Sequence, residues 1–298
     1  MNFEPNTCEK EYAKDPEIKQ EDIQQLLDWA EKQQHMPKIT EYQTIQFYHA
    51  TNYSIQKTKN LMEIHYAYKN EAPEFYTGKD FDKPRYQHNF WDVAYCFDLP
   101  MSTPEGYRIV YCGLKDFDPA KYNYEIITAM FTKIMLTIIM EQGLCCGYAF
   151  IHDLQGFSFS HLSSVSISLI RKFLYISQET LQLKVRQIHI INGRSIIEKI
   201  MMLTKPFLKK ELFDMIHIQS DINKFQESFG KERLPLDVGG TLPFTRDELN
   251  EKMKAKVDAF ADITQKELDL RSDVTKINGD KENNFTSTNG SFKKLVID

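Results

Sequence analysis

His152 and Asp153 are adjacent residues whose side chains could serve as a base and an acid. They end the segment GYAFIHDL (147–154), which is rich in strand-forming residues. Because successive side chains of a strand point to opposite faces, this pair is poorly placed to act on one substrate atom. His189 lies in a second apolar segment, VRQIHIING (185–193), where a core position is the simpler interpretation. With no paired acid and base in the sequence, we expect no enzymatic activity.

The cysteines and the other histidines do not indicate metal or redox chemistry. No C-x-x-C pair occurs, and two of the cysteines are adjacent, which is poor spacing for a zinc site or an ordinary disulfide. The histidines show no spacing typical of zinc ligands. The sequence also lacks glycine-rich phosphate loops and a G-x-S-x-G nucleophile elbow. We therefore expect reduced thiols, no metal and no cofactor; the five cysteines are Cys8, Cys96, Cys112, Cys145 and Cys146.

The charge balance and the length of the apolar runs limit the classes of partner. The net charge is −5, from 37 basic and 42 acidic residues, so a dominant basic field for nucleic acid is not expected. The N-terminus is polar and resembles no signal peptide. The longest apolar run, IMLTIIM (134–140), is far shorter than the ~20 residues that span a bilayer. We expect a cytoplasmic protein whose membrane contact is peripheral.

The first part of the chain predicts a small helical domain. Residues 1–20 are polar, carry two prolines and are expected to form a flexible arm. Apolar residues then recur at helical spacing, which predicts an N-terminal helical domain over residues 21–78. Its three predicted helices cover residues 21–36, 40–49 and 54–71.

After residue 79 the pattern changes to strands that alternate with helices, which predicts an α/β domain over residues 79–245. A charged amphipathic helix is predicted over 246–271, and the polar segment 272–298 is expected to be disordered. The predicted strands are 108–114, 147–154, 185–193 and 216–218, and the predicted helices are 122–141, 160–178, 195–204 and 221–229.

The helix predicted over 122–141 is apolar on most of its circumference, which is typical of a helix buried on several sides. Apolar alternation also recurs in the strands that follow it. An ordinary core is the simpler interpretation, and hydrophobicity alone does not distinguish it from the wall of a ligand cavity.

Four short segments carry a more specific signal. They are DLQGF (153–157), NG (192–193), KPFL (205–208), and LP (234–235) followed by GG (239–240). Their order and spacing resemble the CRAL-TRIO lipid-transfer family, in the branch of the tocopherol and retinaldehyde carriers. The resemblance runs from about residue 40 to about residue 245. It implies a small helical bundle, then an α/β domain whose mixed sheet and helices enclose an apolar pocket closed by a mobile gate helix.

The resemblance also implies an activity, which is to bind and carry one hydrophobic molecule without chemistry. Tyr148 is the expected hydrogen-bond donor of the pocket, and Met130 and Ile134 replace positions that can carry hydroxyls in relatives. A ligand with few polar groups is therefore expected, such as a retinoid, carotenoid, tocopherol or other isoprenoid. The pocket residues carried over by position are Ile127, Met130, Phe131, Ile134, Tyr148, Phe150, Phe173, Ile176, Leu181, Ile188 and Ile190.

The gate corresponds to residues 195–212, in which apolar residues stand next to lysines. Its expected membrane-touching residues are Ile197, Ile200, Met201 and Leu203. The basic residues expected to face an anionic membrane are Lys184, Arg186, Lys205, Lys209 and Lys210. Solvated lysines at a helix C-terminus are the alternative interpretation. Glu211 and Met215 stand where relatives are basic, so general anionic attraction is expected rather than phosphoinositide recognition.

The sequence thus predicts an intracellular protein that binds a small hydrophobic ligand and transfers it between membranes or to an acceptor. The alternative is an adaptor that senses lipid without transferring it and binds a protein partner, with the helix over 246–271 as the contact. The oligomeric state is left open, with a monomer expected.

Overall fold

The structure, a computed structural model, describes residues 3–76, 90–193, 196–219 and 221–276. The predicted disordered tail lies outside the described residues from position 277 onward. The chain forms two compact units. The helical unit comprises Thr7–Pro73, Glu179–Gln182 and the chain from Leu270, and the α/β unit comprises Met1–Asn6, Glu74–Gln178 and Leu183–Asp269.

The helical unit contains four helices: α1 (Cys8–Lys14), α2 (Gln20–Glu31), α3 (Glu41–Ala50) and α4 (Ile55–Glu71). Its core is a buried cluster of Ala30, Ile39, Phe47, Met62 and Tyr66. The start of α3 carries a capping box, in which Thr40 and Gln43 satisfy each other's backbone amides.

The expectation of a flexible arm is wrong for residues 8–14, which form α1. The hydroxyl of Thr7 accepts a hydrogen bond from the Lys10 amide at 3.4 Å and caps this helix. Two acidic residues, Glu9 and Glu11, lie in its first turn, where they interact favourably with the helix dipole. A seven-residue helix with few apolar residues has too little periodicity to be found from the pattern alone.

The α/β unit is built on one mixed five-stranded sheet, which confirms the predicted fold class. Its strands follow the order β1-β2-β3-β4-β5; β1 is antiparallel to β2, and the other neighbours are parallel. Four of the five strands were predicted within one or two residues. The strands are β1 (Ala94–Asp98), β2 (Arg108–Leu114), β3 (Tyr148–Asp153), β4 (Val185–Ile191) and β5 (Ile216–Ile218).

Helices connect the parallel strands and follow the sheet. Two predicted helices are each divided in two. The predicted helix over 160–178 divides before Ser166, whose hydroxyl caps a new helix by accepting from the Leu169 amide at 3.2 Å. The predicted helix over 246–271 divides at Phe260. The helices of this unit are α5 (Tyr124–Gln142), α6 (Phe159–Ser163), α7 (Ile167–Tyr175), α8 (Ile197–Thr204), α9 (Lys210–Phe213), α10 (Ile222–Phe229), α11 (Arg246–Ala259) and α12 (Ala261–Asp269).

Helix α5 is buried along most of its length, as its composition predicted, and it contacts β1, α11 and α12. Threonines within it do not leave buried hydroxyls unpaired. Thr132 and Thr137 donate to the backbone carbonyls of Thr128 and Lys133 at 3.1 and 3.0 Å. The helix ends at Gly143, whose φ of 71° is accessible to glycine at little cost.

Helix α11 covers the edge strand β1. The side-chain oxygen of Asn250 accepts a hydrogen bond from the Cys96 amide at 3.2 Å, and its nitrogen donates to the Ala94 carbonyl at 3.4 Å. These bonds satisfy backbone groups that an open edge would expose to water or to another chain. The charged C-terminal helix is thus part of the α/β unit.

Candidate functional site

The α/β unit contains a partly open cavity of about 300 Å³, a volume at the lower end of the ~300–1,000 Å³ range typical of small-molecule sites. Strands β1, β2 and β3 form one side, and α5, α6, α7, α8 and the segments that connect these elements contribute the rest. Most of the wall is apolar or aromatic. The lining residues are Phe90, Ala94, Tyr95, Cys96, Cys112, Gly113, Leu114, Tyr122, Tyr124, Ile127, Thr128, Phe131, His152, Asp153, Leu154, Phe157, Leu162, Val165, Ile170, Phe173, Leu174, Ile200 and Thr204.

A row of three side chains crosses the sheet side of this wall. Cys96, Cys112 and His152 are register partners on neighbouring strands, so they share one face of the sheet. The two sulfur atoms lie 3.6 Å apart. The hydrogen bond with Cys112 and burial both raise the pKa of the Cys96 thiol, which favours its neutral form. The row therefore adds soft, uncharged groups to an apolar wall.

His152 borders the cavity and is otherwise surrounded by protein. Its ring stacks on Phe150 with 6.2 Å between the ring centroids. Burial lowers the pKa of His152 to about 4, because the protein removes the water that would stabilise an imidazolium. The imidazole is therefore neutral near pH 7 and has one donor and one acceptor nitrogen.

Asp153 faces a different set of partners, as the strand alternation predicted. Its carboxylate accepts hydrogen bonds from the Tyr111 hydroxyl at 2.5 Å, the Asn192 amide group at 2.8 Å and the Gln155 backbone amide at 2.9 Å. Arg246 of α11 lies 3.8 Å away. The carboxylate holds the ends of neighbouring strands together and is not paired with His152.

Three of the predicted pocket residues, Ile127, Phe131 and Phe173, lie on the cavity wall. The two phenylalanines belong to an aromatic group, since Phe131 contacts Phe173 and Phe150 at centroid distances of 5.9 and 5.8 Å. Phe150 lies behind Phe131 and does not itself line the cavity.

The other predicted pocket residues lie away from this wall, and their role as ligand contacts remains a prediction. The hydroxyl of Tyr148 accepts a hydrogen bond from Arg108 at 3.2 Å. Leu181 belongs to the helical unit. The remaining residues of this group are Met130, Ile134, Ile176, Ile188 and Ile190, of which Met130, Ile134, Ile176 and Ile190 are buried.

Sequence reasoning missed several wall residues, most of them outside the long apolar runs. Tyr122 and Tyr124 precede and begin α5, and Phe157 lies in the DLQGF segment that carried the family resemblance. A cluster of aromatic residues flanking a predicted buried helix is the signal that could have identified them. The β1 residues had no such signal, because that strand was not predicted.

Helix α8, the predicted gate, presents different residues to the cavity and to its outer surface. Ile200 and Thr204 line the cavity, and Ile197 is buried. The side chain of Met202 is 70% exposed. Met201 and Leu203, both predicted to touch a membrane, are half-buried.

Gln178, in the turn after α7, binds the segment that follows α8. Its side-chain nitrogen donates to the Phe207 carbonyl at 3.0 Å, and its oxygen accepts from the Lys209 amide at 2.6 Å. One side chain thus fixes the C-terminal end of the α8 region next to α7.

The predicted basic residues lie near the end of the sheet at which β4 begins. Lys184 and Arg186 lie at the start of β4. Residues 209–214 lead into β5, which runs parallel to β4, and Lys205, Lys209 and Lys210 are exposed. Lys210 pairs with Asp214 at 2.5 Å. Asp214 therefore partly offsets the charge of Lys210.

In the part of the chain that the structure describes, no helix is both long and apolar enough to cross a membrane. The same residues contain no group of three or more histidine, cysteine or acidic side chains arranged to hold a metal ion.

Two family models match the chain. The model of the CRAL/TRIO domain matches residues 94–240, and the model of the Pinta-like UBA domain matches residues 15–86. These ranges follow the α/β unit and the helices before it.

Curated relatives agree with this match. An alpha-tocopherol transfer protein-like protein of Homo sapiens is 22% identical over 236 residues, covering 78% of this chain and 68% of the relative. Clavesin-1 of Mus musculus is 23% identical over 249 residues, covering 80% of this chain and 69% of the relative.

A crystal structure of Sfh5 has a TM-score of 0.51 at 11% identity, and the match covers 84% of this chain and 98% of that one. At this identity, the structural similarity supports the fold alone. The domain match, the curated relatives and the mixed sheet around an apolar cavity lead to one conclusion: this chain belongs to the CRAL-TRIO family, whose members are generally lipid-binding and lipid-transfer proteins.

Proposed function

We propose that this chain binds one small hydrophobic lipid in the cavity of its α/β unit and transfers it between membranes or to an acceptor. The cavity carries this proposal, because its wall combines apolar strands with the aromatic group around Phe131. A retinoid, carotenoid, tocopherol or other isoprenoid fits a wall with few polar groups. The protein shields the ligand from water and performs no chemistry on it.

Helix α8 is the proposed gate. Ile200 lines the cavity and Ile197 is buried, so moving α8 into water would expose both side chains. Fully exposing a side chain of this size costs ~1.5–3 kcal/mol. Against a membrane the same side chains meet lipid, and most of that cost disappears. The gate therefore opens preferentially at a bilayer.

The surface around α8 fits this docking. Exposed apolar side chains occur on α6, α7, α8 and α9, namely Phe159, Ile167, Met202 and Phe213. Lys199 lies 4.4 Å from the ring centre of Phe159, and Lys205 lies 5.5 Å from that of Phe213. Lysines beside exposed rings suit the boundary between anionic headgroups and acyl chains. We place the protein in the cytoplasm with peripheral membrane contact.

The alternative, a lipid-sensing adaptor, relied on the charged C-terminal helix as a protein contact. Helix α11 already buries Leu249, Met253 and Val257 and binds β1 through Asn250. That face is not available to a partner while the α/β unit is folded. The packing of α11 therefore favours the carrier over this form of adaptor.

Vesicle transfer tests the proposal. Donor vesicles carrying a fluorescent retinoid are mixed with acceptor vesicles containing a quencher, with and without the protein. Met202→Asp should slow transfer at least fivefold and leave ligand affinity unchanged, because Met202 is exposed and does not line the cavity. Ile263→Asp is the matched control, since it introduces the same charge at an exposed apolar position of α12. Transfer rates equal to the wild type would remove α8 from the mechanism, and an absence of transfer by the wild type would overturn the carrier.

A further inference from the structure

The polar side chains on the cavity wall divide into two groups. The first group uses its polar atoms within the protein. Thr128 donates to the Tyr124 carbonyl at 2.8 Å, Thr204 donates to the Ile200 carbonyl at 2.9 Å, and Tyr95 donates to Asp247 at 3.1 Å. Asp153 accepts the bonds described above. These groups are not free to recognise a ligand.

The second group consists of His152, Tyr122 and Tyr124. Within the described parts of the chain, neither the imidazole nor either hydroxyl has a hydrogen-bond partner, and each side chain borders the cavity. Burial raises the pKa of both phenols, so the hydroxyls stay neutral. All three side chains are half-buried, so a ligand that covered their polar atoms without hydrogen bonding to them would lose ~1–3 kcal/mol for each group.

The three side chains share one end of the cavity. His152 is the next-to-last residue of β3, and β3 runs parallel to β2. The ring of Tyr122 lies 5.5 Å from that of Phe157, which follows the carboxyl end of β3, and Tyr124 begins α5 two residues later. Both sets therefore lie near the carboxyl ends of the parallel strands, while the wall farther along α5 is formed by Ile127 and Phe131.

The charge of the wall restricts what can bind at this end. Among the described wall residues there is no lysine or arginine, and the one acidic residue is Asp153. A carboxylate or phosphate headgroup placed there would lose hydration without gaining a cation in return. The hydrogen-bonding end of the cavity therefore selects a neutral group.

We propose that His152, together with the hydroxyls of Tyr122 and Tyr124, is the polar anchor of the cavity and that the ligand is an uncharged lipid ending in a hydroxyl. This inference rests on the proposed function and adds the class of lipid. A neutral imidazole offers one donor and one acceptor, and a hydroxyl offers the same two roles. The phenols can take either role toward the same hydroxyl.

Three isoprenoids with related carbon chains test the anchor. Farnesol carries a hydroxyl, farnesene is the hydrocarbon, and farnesoic acid carries a carboxylate. Dissociation constants for the full chain are measured by equilibrium dialysis for the wild type, His152→Phe, His152→Gln and Thr132→Val. The preference for farnesol is the ratio of the farnesene dissociation constant to the farnesol dissociation constant. Comparing this ratio between proteins cancels any change in the hydrophobicity of the cavity.

The wild type should prefer farnesol, and His152→Phe should reduce that preference about three- to tenfold, the range expected for one neutral hydrogen bond. His152→Gln retains a donor and an acceptor and should recover most of it. Thr132→Val removes a hydroxyl of α5 that is bonded to the Thr128 carbonyl and does not line the cavity, and it should leave the ratio unchanged. Farnesoic acid should bind most weakly at pH 7.5.

Tyr124→Phe is a second variant. It removes the hydroxyl group, keeps the ring and should also reduce the preference for farnesol. An unchanged ratio in both His152→Phe and Tyr124→Phe would overturn the anchor while leaving the carrier intact. Tighter binding of farnesoic acid than of farnesol would also overturn it. If the wild type bound none of the three isoprenoids, the anchor and the proposed carrier would both fall.

Discussion

The position of His152 was predicted from the sequence only in part. Strand alternation correctly predicted that it does not pair with Asp153, whose carboxylate binds Tyr111 and Asn192 instead. Its position on a cavity wall did not follow from the sequence, because alternation fixes a face of the sheet and not what lies opposite that face. The burial that lowers the pKa of His152 depends on the packing of neighbouring elements, which a strand pattern does not specify.

The lowered pKa of His152 predicts a pH dependence of stability. An exposed histidine has a pKa near ~6.5, whereas that of His152 is about 4 in the folded protein because of burial. As the pH falls below 6.5, the unfolded chain gains a proton that the folded protein does not, so the free energy of unfolding decreases. The contribution is complete above pH 6.5 and is lost progressively toward pH 4.

Between pH 6.5 and pH 5 the wild type should therefore lose up to ~2 kcal/mol more stability than His152→Phe. Urea unfolding of both proteins at the two pH values measures this difference. Burial also lowers the pKa of His189 to about 4. Its contribution to the free energy of unfolding is the same in both proteins and cancels in the comparison. An identical loss in the two proteins would show that the ring of His152 is hydrated.

At the scale of elements, β1 is the part of the sheet that the sequence did not predict. AYCFD has five residues, four of them buried, so it shows no alternation of apolar and polar positions. Strands β2, β3 and β4 are longer and richer in β-branched residues, which is why their patterns were sufficient. The position of β1 depends on Asn250 of α11, a contact 154 residues away in sequence.

The register of β1 against β2 predicts a specific cross-link. The amide of Leu99 donates to the Ile109 carbonyl at 2.9 Å, so these two opposite residues form a hydrogen-bonded pair. Hydrogen-bonded and non-hydrogen-bonded pairs alternate along an antiparallel ladder, which makes Cys96 and Cys112 a non-hydrogen-bonded pair. Side chains are closest in pairs of this second kind. With the sulfurs 3.6 Å apart, a thiol oxidant such as diamide should join them.

Mass spectrometry of peptides from the oxidised protein should show a disulfide between Cys96 and Cys112. The link should persist when Cys145 and Cys146 are both replaced by serine, and it should disappear in Cys112→Ser. A dominant disulfide between any other pair in the folded protein would contradict this register.

At the scale of the whole molecule, the sequence predicted two units because helical periodicity gives way to alternating strands and helices. The boundaries were less accurate, since they depend on contacts between distant segments. The predicted tail begins at 272, yet Ser272 is buried and its amide bonds the Tyr66 carbonyl at 3.0 Å. Leu270 also packs against the core of the helical unit. The eight predicted pocket residues away from the cavity wall remain predictions as ligand contacts, because an apolar face can meet core or cavity.

Two truncations test where the folded chain ends. Removing residues 277–298 should leave the melting temperature within about 1 °C of the wild type, because the sequence predicts this tail to be disordered. Removing residues 272–298 should lower it by several degrees, since Asn70 also loses its 3.0 Å bond to the Ser272 carbonyl. Calorimetry of the two proteins makes the comparison, and equal melting temperatures would show that Ser272 contributes nothing.

The most direct test of the carrier is the content of the cavity. Protein purified from its native source is extracted with organic solvent, and the extract is quantified by mass spectrometry against the protein concentration. The account predicts one uncharged lipid, an isoprenoid with a hydroxyl end, at close to one molecule per chain. An extract with no bound lipid, or with only a mixture of membrane phospholipids, would contradict it.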